Sequence, residues 1–111
     1  VMRSHRCTVE QMAILEPALS ESVGATFAKV LKDATDEAAR RGVPYQAAED
    51  FLLGHLTILL AVAFGVQPNG KLSDGCMQAI KEAEPVIFKE DWLDNIFDPK
   101  AVKASVVSIC K

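Results

Sequence analysis

The sequence predicts an all-α fold with one long kinked helix, a central buried helix and shorter helical pieces after them. Three observations carry this expectation. Apolar residues recur at three- and four-residue spacing along most of the chain, and almost no stretch alternates apolar with polar as a strand does. Residues that start and stop helices stand at the ends of those runs. Half of the 111 residues are hydrophobic, which supplies a real core, and the length bounds residues 1–111 to a single domain.

The elements follow in order. Thr8 and Gln11 have the spacing of a capping box, so the first helix starts there. Met12, Leu15, Leu19, Val23, Phe27, Val30, Leu31, Ala34 and Ala38 make its apolar stripe, and Gly42 followed by Pro44 ends it. Pro17 falls inside the stripe and should kink the helix or split off its first turns. About 33 residues make a helix of roughly 50 Å. That exceeds the roughly 27–35 Å diameter of a compact domain of this size, so the helix is expected to lie against another domain or subunit. The second helix starts near Pro44 and runs to about Phe64, with Gly65 as its cap. From Phe51 onward it is apolar nearly all round, which predicts a central helix covered on every side. The run Phe51 to Val66 is interrupted by Gly54, His55 and Thr57 and is shorter than the roughly 18–20 residues of a membrane span. Gln67 to Lys71 is turn chemistry, and Ser73 or Asp74 caps a third helix that Pro85 ends or bends. Ile87, Phe88, Trp92, Leu93, Ile96 and Phe97 predict one irregular helical piece. Asp98-Pro99 starts the last helix, whose apolar set is Val102, Val106, Val107 and Ile109.

Charge and cysteines narrow the function class. Twelve Lys and Arg against fifteen Asp and Glu give a net charge of -3 with no basic block, which argues against a nucleic-acid partner. Seven acids and two lysines lie between Ser73 and Asp98, the pattern of a solvated acidic face. Cys7, Cys76 and Cys110 are odd in number and far apart, so neither a disulfide framework nor a zinc cluster is expected, and a reducing cytoplasm fits. The opening Val1-Met2-Arg3-Ser4 lacks the apolar stretch of a signal peptide and reads as an internal segment of a longer protein. No membrane partner is expected.

Few residues can carry chemistry. There is no GxGxxG after a strand, no Walker loop, no HExxH and no GxSxG, and two histidines exclude a multi-histidine metal site within one chain. His55 sits in the apolar second helix just after Gly54; it is either a satisfied core histidine or a working acid, base or ligand. Glu16 precedes Pro17 in an apolar setting and is either a surface carboxylate or a used one. Pro17 should also free the carbonyl of Ala13 and create a local polar site. Glu10, Ala13, Pro17, Ser20 and Gly24 follow the spacing of one face, which suits a ligand or another helix. Glu16 and His55 could form a carboxylate–imidazole pair or two ligands of a divalent metal, provided the first two helices pack side by side.

Several segments resemble the C-terminal domain of oxidoreductases in the 6-phosphogluconate dehydrogenase-like superfamily. They are Glu10 to Glu21, Gly42-Val43-Pro44, Ala47 to Leu56, Ser73-Asp74-Gly75, Ala79-Ile80 and Ile87 to Trp92. Within that superfamily they look most like the phosphogluconate-dehydrogenase C-terminal-domain family, with its putative semialdehyde dehydrogenases and apionate oxidoisomerases. The likeness runs from about Ser4 to Lys111. It implies an all-helical domain that forms much of a homodimer interface and one wall of a substrate site. It also implies NAD or NADP bound by an N-terminal Rossmann domain absent from this chain, and a small hydroxy acid or sugar acid as substrate. By position it marks Glu16 and His55 as catalytic or metal-binding candidates, with Thr8, Glu10 and Ser20 as substrate-binding ones. The lysine–asparagine pair of related hydroxyacid dehydrogenases has no match, since the nearest lysine, Lys29, lies beyond the matching stretch. His55 or Glu16 is the natural substitute for proton transfer. Two further readings stay open: a standalone helical dimerisation or regulatory module without catalysis, and a small-ligand bundle with a pocket around Phe51 to Phe64.

Overall fold

Thr8 is the N-cap of the first helix in the computed structural model, which describes residues 5–67 and 70–109. Its hydroxyl accepts from Gln11 N at 3.1 Å, and Gln11 Oε1 accepts from Thr8 N at 2.8 Å, which closes the expected capping box. The expectations that rest on Val1 to Ser4, Pro68, Asn69, Cys110 and Lys111, and on the side chains of Val106, Val107 and Ile109, lie outside the described residues.

The helical run continues through Pro17 without a break. After α1 (Val9–Ala13) the chain winds as a π-helix over Ile14–Ala25 and returns to α-helical winding in α2 (Thr26–Arg40). The helix is not split at Pro17; the disturbance expected there takes the form of a change of winding. The physical reason lies in the missing N–H of proline. An α pattern would leave the carbonyl of Ala13 facing Pro17, whereas the i→i+5 pattern pairs it with Ala18. Pro17 and Ala18 are buried, while Glu10, Ser20 and Gly24 are exposed.

α3 (Tyr45–Ala63), α4 (Asp74–Ile87), α5 (Trp92–Phe97) and α6 (Pro99–Ile109) complete the fold, and the described residues contain no strand. Local signals explain the boundaries. α2 ends in a Schellman motif, with Gly42 at φ 107° and Val43 N donating to Ala38 O at 3.1 Å. α3 ends the same way, with Gly65 at φ 67° and Val66 N donating to Ala61 O at 2.9 Å. Ser73, not Asp74, caps α4, accepting from Cys76 N at 3.1 Å. Pro85 lies in the last turn of α4, which ends two residues later. Asp98 accepts from Lys100 N at 3.0 Å and starts α6, with Pro99 in the first position.

The chain divides into two compact units. Unit 1 holds residues 1–30 and 91–111, and unit 2 holds residues 31–90, so the division falls inside α2. In unit 1 the π segment packs on α1, α5 and α6. Ala18 is 1% exposed and Val102 7%, and the rings of Phe27 and Trp92 lie 6.3 Å apart, within the range of an aromatic pair.

Unit 2 is built differently. α2 and α3 leave the Arg41–Pro44 turn without their backbones closing on each other. None of the α3 residues is buried; Phe51 is 70% exposed and Ile58 59%, and the C-cap Phe64 is 78% exposed. The expectation of a central, fully covered helix is thus corrected. The apolar circumference states a demand for cover, and the described residues of this chain do not meet it. By length and composition α3 could also cross a membrane, contrary to the shorter run expected, but it carries Glu49, Asp50 and His55.

Candidate functional site

His55 stands on α3 at the edge of an open groove of about 600 Å³ within unit 2. α2 supplies Ala34, Thr35 and Ala38 to the groove, and α3 supplies Ala47, Ala48, Phe51, Leu52 and His55, with Val43 from the turn between them. The i, i+4 spacing of Ala34 with Ala38, and of Ala47, Phe51 and His55, places these side chains along one face of each helix. Alanines leave room where the helices diverge. Thr35 is buried, and its hydroxyl donates its proton to Leu31 O at 2.8 Å. His55 is thus the titratable group of an otherwise apolar lining.

His55 is exposed, which corrects the alternative of a satisfied core histidine. Its Nδ1 lies 3.1 Å from the carbonyl of Phe51, and its ring stacks on the Phe51 ring with centroids 4.3 Å apart and planes at 27°. A Cβ at Gly54 would meet nothing within 4 Å.

The other predicted residues lie in unit 1. Glu16 and Ser20 are exposed on the π segment, Glu10 is exposed on α1, and Thr8 is committed to its cap. Glu16 thus belongs to one unit and His55 to the other.

Charged groups of unit 2 pair on α2. Lys32 Nζ contacts Asp36 Oδ1 at 2.6 Å and lies 4.8 Å from the centre of the Tyr45 ring. The hydrogen bond to Asp36, and then the one to Tyr45, raise the Lys32 pKa. Glu37 accepts from Arg41 Nε at 2.7 Å and from Arg40, and these bonds hold its carboxyl below the ordinary value. All are solvated helix-surface pairs.

The sequence implies a divalent metal and a nicotinamide dinucleotide. Among the described residues no three His, Cys, Asp or Glu side chains gather as a metal-holding group, whereas calcium takes six to eight oxygens. No described residue forms the strand–turn–helix that cradles a dinucleotide. Neither group fits the described residues by themselves. The seven acids between Ser73 and Asp98 are exposed, as expected. Cys7 and Cys76 are free thiols.

Sequence reasoning missed Phe51 as a partner of His55 and the alanines of α2 and α3 as a groove. The signal was present in their i, i+4 spacing. A pocket around Phe51 to Phe64 was among the open readings, but the alanines were not read as its lining.

The chain belongs to the phosphogluconate dehydrogenase (decarboxylating) C-terminal family, whose model matches residues 1–110. It is 51% identical over 109 residues to a D-apionate oxidoisomerase of Rhizobium rhizogenes, covering 98% of this chain and 39% of that protein. It is 48% identical over 106 residues to one of Cupriavidus necator, covering 96% of this chain and 38% of that protein. A crystal structure of a semialdehyde dehydrogenase NAD-binding protein from Cupriavidus necator, in complex with calcium and NAD, is 48% identical and superposes with a TM-score of 0.92 over 98% of this chain and 39% of that one. The chain therefore spans about two fifths of the length of these relatives.

Proposed function

We propose that the chain is the substrate-binding and dimerisation domain of an NAD(P)-dependent oxidoreductase acting on a small sugar acid of the D-apionate type. The observation that carries this reading is His55: an exposed imidazole beside an apolar groove, in a chain about half identical to two D-apionate oxidoisomerases along nearly its whole length. NAD or NADP supplies the oxidising equivalent and is held by a Rossmann domain elsewhere in the protein. His55 takes or returns the proton of a substrate hydroxyl. Calcium prefers oxygen donors, so a metal role for His55 is the weaker assignment and proton transfer the stronger. In unit 1, Glu16 is the candidate carboxylate donor to such an ion. Glu10 and Ser20 are exposed groups suited to substrate hydroxyls, whereas Thr8 contributes through its cap.

The domain forms a homodimer in this reading, because α3 leaves large apolar side chains uncovered. Fully burying a Phe, Leu or Ile side chain contributes roughly 1.5–3 kcal/mol. Covering Leu53, Ile58, Leu60 and Phe64 in their partly exposed state thus adds up to several kcal/mol. The free thiols suit a cytoplasmic protein. The non-catalytic alternative uses the same exposed helix and no cofactor.

The test is turnover of D-apionate with NAD by the full-length protein. His55→Ala should lower it at least about 100-fold, as loss of an acid/base group does. A folded variant with near-normal turnover overturns the assignment.

A further inference from the structure

Proton transfer by an imidazole depends on which nitrogen holds the lone pair, and the surroundings of His55 decide it. We infer that Phe51 is a positioning residue for His55: its carbonyl and its ring together hold the imidazole as the Nδ1–H tautomer and leave Nε2 as the working nitrogen. This inference rests on the reading of His55 as the proton-transfer group.

The two residues are one turn apart on α3. Nδ1 of His55 lies 3.1 Å from the Phe51 carbonyl oxygen. A carbonyl accepts and cannot donate, so the bond requires the proton on Nδ1. In the neutral imidazole the lone pair is then on Nε2, the ring atom farther from the helix backbone. Each helix carbonyl has two lone pairs, so Phe51 O can serve the α-helical ladder and the imidazole together.

The ring does the second half of the work. With centroids 4.3 Å apart and planes at 27°, the Phe51 ring covers one face of the imidazole. Both side chains are exposed, and Phe51 keeps 70% of its surface, so no packed core holds the histidine. The stack is the restraint that keeps Nδ1 aimed at the carbonyl. Free neutral histidine favours the opposite tautomer, with the proton on Nε2, so the geometry reverses an ordinary preference. A base so held presents a fixed atom to a substrate hydroxyl. Reorienting a base is costly, since a displacement of about 1 Å can reduce turnover by roughly two orders of magnitude.

The experiment is long-range 15N–1H NMR of the histidine rings in the full-length protein, under conditions where the rings are neutral, with His55→Gln to assign the signals. Wild type should show His55 with the proton on Nδ1. Phe51→Leu keeps the carbonyl and removes the stack. It should show a mixture of tautomers and a kcat lowered roughly tenfold with KM little changed, short of the loss in His55→Ala. Phe51→Tyr restores a ring and should recover both. Circular dichroism and light scattering check that helicity and association are unchanged. A wild-type His55 with its proton on Nε2, or a tautomer population identical in Phe51→Leu, overturns the inference. The two readings fail separately. Near-normal turnover in His55→Ala defeats the catalytic role whatever the tautomer, and an Nε2–H tautomer in an enzyme that needs His55 defeats only the role of Phe51.

Discussion

Unit 1 closes on Pro17, Ala18 and Val102, whereas in unit 2 the helix with the longest apolar run buries none of its residues. Unit 1 packs its π segment against α1, α5 and α6. Unit 2 leaves an alanine-lined groove between α2 and α3 and sets His55 beside it. The difference teaches that hydropathy measures how much cover a helix needs and not who provides it. The more apolar helix is the less covered one.

The comparison can be sharpened by making the same kind of change in both units. The largest effect is expected at Ala18, which is 1% exposed. Ala18→Leu overpacks unit 1 and should cost about 1–3 kcal/mol. Ala47→Leu adds the same volume beside an open groove and should stay within about 0.5 kcal/mol. Urea melts of the two variants compare them directly, and equal losses would erase the contrast between the units.

A smaller effect is expected at the start of the first helix. Thr8→Ala removes the acceptor of Gln11 N and one half of the capping box. The loss should be about 1 kcal/mol, and native-state hydrogen exchange should show it as faster exchange in α1 than in α3.

The smallest concerns pH. Arg41 and Arg40 hold the Glu37 carboxyl below its ordinary value. Its contribution to α2 is therefore present above the unfolded-state pKa and is lost as pH falls through the lowered folded value. Because the group is solvated, the effect on overall stability should be slight and should shrink in salt. Carboxyl NMR titration of Glu37, with Arg41→Gln as the control, should show the depression and its partial loss.

Much of the fold was legible because its signals are local. Thr8 with Gln11, Gly42 before Pro44, and Asp98-Pro99 each act within a turn of their own position, and the structure places a cap or a stop at each. The π segment was not legible. A proline in a helical stripe signals a lost i→i+4 bond, but rewinding to i→i+5 is a choice between backbone ladders that residue spacing does not record. The exposure of α3 and His55 was hidden for another reason. A circumference of apolar residues looks the same whether its partners come from the same chain or from another. His55 and Glu16 were picked out by residue type, while the hold of Phe51 on His55 depends on ring geometry that only coordinates show.

In the proposed homodimer a second copy covers the exposed apolar surface of α3. The most direct measurement is size-exclusion chromatography with light scattering on the full-length protein at tens of micromolar, for wild type and for Ile58→Glu with Phe64→Glu. The account predicts a wild-type dimer and a soluble, helical monomer for the double variant. A monomeric wild type, or a dimer that both charges leave intact, would contradict it.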